Sequence, residues 1–150
     1  MHRKTSRLAL AAIGLFGISI PALATLGGDA ASVQADLGAL NGTLHVSPQS
    51  GSTVYEIAAP SGTTIREYLS SAGAVYAVSW EGPVLPDLRQ VLGSYFPAYV
   101  ETSRAQGPAR PLVVQQPGFV FESAGSMRAF FGKAYVPRLL PAGVCGDAIR

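Results

Sequence analysis

Few residues of this chain combine a reactive side chain with the neighbours that reactivity needs. Beyond the first two dozen residues His45 is the one histidine, and Cys145 is the one cysteine of the chain. A Ser-His-Asp triad or a Cys-His pair would both have to recruit His45, and a metal site would lack a second imidazole. Gly-x-Ser-x-Gly, His-Glu-x-x-His, Cys-x-x-Cys and a phosphate-cradling glycine loop do not occur. The pattern calls for no metal and no cofactor, and leaves carboxylate chemistry.

Glu67 is the sharpest carboxylate. A four-residue turn at 70–73 would place Leu69, Glu67 and Ile65 on one face of a hairpin with Tyr76, Val78 and Trp80. A carboxyl set among apolar groups is pushed toward its neutral form and can serve as a general acid. The alternatives are neutralisation by Arg66 or Arg89, or a one-residue change of register that turns Glu67 to solvent. Asp87 could be the second acid, with Glu67 or Glu81, but its place after Pro86 and before a helical stripe suits an N-cap. Trp80, Tyr95, Phe96 and Tyr99 offer aromatic surface for sugar rings or peptide side chains. Trp80 and Tyr95 fall at core periods, whereas Phe96 and Tyr99 flank Pro97 and are the candidate exposed pair. The candidate binding residues are therefore Trp80, Phe96, Tyr99 and Glu67.

These side chains must be positioned by strands and one helix. Thr53–Ala59, Thr63–Leu69 and Ala74–Trp80 are rich in Val, Ile, Tyr and Thr and are separated by short Gly-containing turns, which predicts an antiparallel meander. Leu88, Val91, Leu92 and Tyr95 follow the i, i+3, i+4, i+7 spacing of one helix face, which should lie across the sheet. Pro97 interrupts that helix, and Tyr99 and Val100 continue in a second short one up to Gly107. Leu112–Gln115, Phe119–Glu122 and Met127–Val136 form a second set of antiparallel strands, with turns at Pro117-Gly118 and at 123–126. The expected class is α+β. Ser71-Ala-Gly and Ser123-Ala-Gly repeat a short string that turn chemistry alone explains.

The first 24 residues follow the plan of a cleavable export signal: Arg3, Lys4 and Arg7, an uncharged run from Leu8 to Ile20, then Pro21 and Ala22-Leu23-Ala24. The apolar run is shorter than the roughly 20 residues that span a bilayer, so no stable membrane span is expected after cleavage. Three of the eleven basic residues and none of the nine acidic ones lie in this leader. The remainder carries eight against nine, a formal −1, and presents no basic field for nucleic acid. Residues 25–52, rich in Gly, Ala, Ser and Asn, are expected to be a flexible arm or linker, with a weak helical stripe of Val33, Leu37 and Leu40. Residues 53–150 are expected to form the single domain. Cys145 is read as a small packed residue, the alternative being a free thiol able to dimerise the protein.

The strings Ile65-Arg-Glu-Tyr68, Val78-Ser-Trp-Glu-Gly-Pro83, Leu85-Pro-Asp-Leu88, Leu92-Gly-Ser-Tyr-Phe96, Ala134-Tyr-Val-Pro137 and Leu140-Pro-Ala-Gly-Val144 resemble an uncharacterised bacterial family, domain of unknown function 2844. The resemblance covers most of 53–150, whereas the arm before residue 53 matches poorly. It implies an exported protein of Gram-negative bacteria, and it carries no catalytic residue over. Two function classes follow: a periplasmic or extracellular module that binds a protein or cell-envelope partner, and a carboxylate-based hydrolase acting on an envelope polymer.

Overall fold

The computed structural model describes residues 26–107 and 111–150; the expected leader at 1–24 lies outside them. The chain is α+β. Four strands form an antiparallel meander: β1 (Thr43–Gln49), β2 (Ser52–Ala58), β3 (Thr64–Ser70) and β4 (Val75–Gly82). A second antiparallel set, β5 (Leu112–Gln116), β6 (Phe119–Ser126) and β7 (Ala129–Tyr135), joins it through β4–β7 pairing, giving one seven-stranded sheet in the order β1-β2-β3-β4-β7-β6-β5.

Side chains alternate across this sheet. On one face Ile65, Val78, Trp80, Ala134, Phe121 and Val114 form the main core with Leu88, Val91 and Leu92 from the helices that follow β4. These are α2 (Leu88–Leu92), one turn of 3-10 helix (Gly93–Tyr95) and α3 (Phe96–Gln106). Asp87 caps α2, its Oδ1 accepting from the Arg89 N–H at 2.9 Å, which satisfies a donor that the first turn leaves free. Pro97 starts α3 rather than merely stopping its predecessor: at the first helical turn its missing N–H costs no hydrogen bond.

The stretch 25–52, expected as a loosely held arm, carries within its described part α1 (Ala30–Leu40) and the edge strand β1. Asp29 caps α1 through the Ala31 and Ser32 N–H groups, Asn41 closes it at φ +48, and fully buried Val33 packs against Leu69 and Val75. Composition hides both elements because α1 buries few apolar side chains and β1 leaves most of its own exposed. Just before α1, Leu26 is buried in the main core. Its N–H donates to the Val91 carbonyl, and Gly27 and Gly28 exchange backbone hydrogen bonds with Val75.

The opposite face of the sheet is half covered by the segment after β7. Leu139, Leu140, Val144 and Ile149 lie on Val54, Tyr68, Tyr76 and Ala77, and the Arg150 carbonyl accepts from the hydroxyls of Tyr68 and Ser79. Cys145 is a free thiol and is exposed, not packed, because the segment touches the sheet through its apolar residues on either side. The turn expected at 123–126 lies three residues later, centred on Met127-Arg128, with Ser123–Ser126 paired inside β6 and Arg128 at φ +64.

Leu92 is fully buried between helix and sheet. Replacing it with Ala should cost about 2–5 kcal/mol, measured as a lowered urea midpoint; an unchanged midpoint would mean that α2 does not carry the core contact assigned to it.

Candidate functional site

Glu67 lies on the helix-covered face, paired in register with Val78 and one step along from the Ile65–Trp80 pair. Sequence register placed it among apolar groups, and its side chain is only 2% exposed. Its neighbour was not foreseen. Asp36 of α1, 3% exposed, reaches across to hydrogen-bonding distance of Glu67, and Gln90 of α2 donates its side-chain amide to Asp36 Oδ1. The one sequence signal for Asp36 is its position inside the stripe Val33, Leu37, Leu40, where a carboxyl would face the same way as the apolar residues.

As two carboxylates the pair would be unworkable, since neither Glu67 oxygen has any donor among the other described residues. A proton on the pair supplies that donor. Burial, then the hydrogen bond and charge of Asp36, push Glu67 up to about 9. Burial also raises Asp36, while its bonds with Gln90 and Glu67 act in the opposite direction. Arg66, considered as a neutralising partner, points to the opposite face and pairs with Glu56 at 2.7 Å. Arg89 lies over the Phe96 ring, 5.0 Å from its centroid.

The aromatic candidates divide. Trp80 is 1% exposed and packs on Phe121 with ring centroids 5.5 Å apart, so neither it nor Glu67 is presented to a ligand at the surface. Both are withdrawn by the same cause, the helices laid over their face of the sheet. Tyr99 and Phe96 are half-buried: Tyr99 rests on Phe121 at 4.9 Å and Phe96 on Tyr99 at 5.7 Å. Tyr99 also borders a depression of about 190 Å³ shared with Leu85, Ala124 and Phe130. Exposed His45 lies on β1, and among the described residues no group of three or more His, Cys, Asp or Glu could hold a metal ion.

Sequence reasoning missed several exposed apolar side chains around β4 and the second set of strands. Among the described residues Val84 and Leu85 are exposed in the loop after β4, Met127 at the β6–β7 tip, and Phe131 and Val113 on the face opposite the helices. The pairs Glu81–Phe131 and Gly82–Phe130 bring the start of the 83–87 loop beside the β6–β7 hairpin, whose tip carries Met127 at 94% exposure. Phe131, 55% exposed, and Val113 line a groove of about 590 Å³ on the uncovered half of the opposite face, with Arg66, Glu81, Glu122 and Lys133 around it. Turn-forming Ser, Ala and Gly at 123–126 masked the length of this hairpin.

The model of a protein family described as Protein of unknown function (DUF2844) matches residues 22–149. The chain belongs to this family. The match reaches back through α1 and β1, so the segment before residue 53, expected to match the family poorly, is part of the family's own extent. No curated protein and no solved structure matches the chain. Among the described residues no helix is long and apolar enough to cross a membrane.

The Asp36–Glu67 pair sets an unusual pH dependence. The folded chain retains a proton that the unfolded chain releases near the ordinary value of 4.5, so stability is greatest below that pH, falls as pH rises toward about 9 and levels off above. The slope approaches about 1.4 kcal/mol per pH unit for one proton. Urea midpoints should therefore drop between pH 5 and pH 9, and Glu67→Gln should flatten the profile; a wild-type midpoint that rises over this range would contradict the assignment.

Proposed function

We propose that this DUF2844 protein is an exported, non-enzymatic binding module of the cell envelope, and that it takes an apolar segment of a protein partner in the groove walled by Phe131 and Val113. The observation that carries the reading is the groove of about 590 Å³ with exposed Phe131 and Val113 on its wall, since exposed apolar surface of this kind marks interaction sites. The groove beside Phe131 has charges of both signs on its walls, Arg66 and Lys133 against Glu81 and Glu122, which suits a polypeptide better than a polyanion. Tyr99 lies apart from this groove, in the smaller depression it shares with Leu85 on the helix-covered face, and Phe96 stands against Arg89. The hydrolase alternative needs two carboxyls that reach a polymer. Glu67 is buried against Asp36, and Asp87 is engaged as the α2 cap, so the geometry favours binding.

Changing Phe131 and Val113 together to Ala should leave the melting temperature within about 4 °C, as exposed positions allow. Capture of the partner from envelope extract should weaken at least about tenfold, the loss expected of a buried interface anchor. A folded double variant that captures every partner as the wild type does would reject this surface.

Export rests on the tripartite leader. The protein recovered from the periplasm should begin at Thr25 by intact mass, following cleavage after Ala22-Leu23-Ala24; recovery with Met1 to Ala24 still attached would refute cleavage there.

A further inference from the structure

Helix α1 is held by very little. Of its eleven residues only Ser32, Val33 and Asp36 are buried, and the Ser32 hydroxyl is occupied within the helix cap, donating to the Asp29 carbonyl. Val33 sits against Leu69, Val75 and Tyr55, and Leu40 leans on the edge of the main core. The remaining attachment is polar: Asp36 to Glu67 on β3 and to Gln90 on α2. An eleven-residue helix is marginal by itself, so these few contacts decide whether α1 stays down.

We infer that Asp36, Glu67 and Gln90 form a proton-operated clasp: a proton shared by the two carboxyls holds α1 on the sheet, and its loss releases α1 while the rest of the sheet stays folded. The groups facing the pair make the release one-directional. From β2, Tyr55 stands directly across from Glu67 in register; from α2 comes the neutral amide of Gln90. The cations next in sequence to Glu67 and Gln90 are turned elsewhere, Arg66 to Glu56 on the opposite face and Arg89 to Phe96. Once the proton leaves, two buried negative charges face each other with no cation to compensate, and the least costly way to hydrate them is to lift the lightly held helix that carries one of them. Release of α1 uncovers Leu69 and Val75 at the β3–β4 turn, an apolar patch separate from the surface around Phe131.

Hydrogen exchange at pH 5, 7 and 9, corrected for the intrinsic pH dependence of amide exchange, tests this on the whole protein. Protection of α1 amides should fall at least about tenfold from pH 5 to pH 9, while that of β6 and β7 changes much less. Glu67→Gln, which keeps a hydrogen-bonding amide at this position, should abolish the fall. If that variant does not fold, Asp36→Asn combined with Glu67→Gln, which removes both ionisable groups, should do the same. The clasp is overturned if α1 protection ignores pH, if it declines in parallel with β6 and β7, or if the Gln variant keeps the wild-type decline. It is also overturned if adding calcium or magnesium ions at pH 9 restores α1 protection, since the pair would then be holding a metal ion rather than a proton.

Discussion

Trp80 packs against Gly132 at the one place where the two halves of the sheet meet. β4 closes the first meander and β7 closes the second set, and only their pairing makes a single seven-stranded sheet. Trp80 and Gly132 are partners in that register, and a Cβ on residue 132 would come within 2.3 Å of the indole ring. The missing side chain on β7 is thus the space the large one on β4 occupies. From there the contacts spread outward: Trp80 to Phe121, Phe121 to Tyr99 of α3, and Phe119 stacked on Tyr95 at 5.2 Å. The helices are fixed over the sheet by this aromatic series, and with them Gln90, which reaches Asp36. Displacing the indole would disturb the seam, the helical layer and the carboxyl pair together.

The two faces of the sheet treat charge in opposite ways. On the half-open face Arg66 meets Glu56 and Lys133 meets Glu122 with partial exposure, pairs of the kind that contribute little to stability and tolerate change. On the covered face two carboxyls meet with no cation, an arrangement that is tolerable only in a partly protonated state. Polar residues near the Phe131 groove can therefore vary in charge without unsettling the core, whereas Asp36 and Glu67 are bound to each other's protonation.

How much was legible in the sequence follows from where side chains report burial. Ile65, Glu67, Val78 and Trp80 alternate plainly, and their shared face was read correctly. Tyr76 was assigned to the same face, yet a bulge at Tyr68/Leu69 shifts the register and places it beside Tyr68 on the other side, ring centroids 6.0 Å apart. Alternation cannot reveal an inserted residue. The stripe Leu88, Val91, Leu92, Tyr95 was legible for the same reason as the strands. Ser71-Ala-Gly and Ser123-Ala-Gly look alike, but the first belongs to the β3–β4 turn and the second to β6, because cross-strand pairing with β7 overrides local turn preference. Helix α1 and its carboxyl were obscure since both depend on contacts with residues far along the chain, and the groove beside Phe131 emerges only when Val113 and Phe131 are brought to one face by the pairing of β5, β6 and β7.

If the leader is cleaved as proposed, the burial of Leu26 bears on the order of cleavage and folding. Its side chain lies in the main core, its N–H is bonded to Val91, and the next two residues are tied to Val75. A peptidase acting on the bond between 24 and 25 would need the residues that follow it free, and the folded chain holds Leu26, Gly27 and Gly28 in place. Under that proposal, removal of the leader and seating of Leu26 would compete for the same few residues.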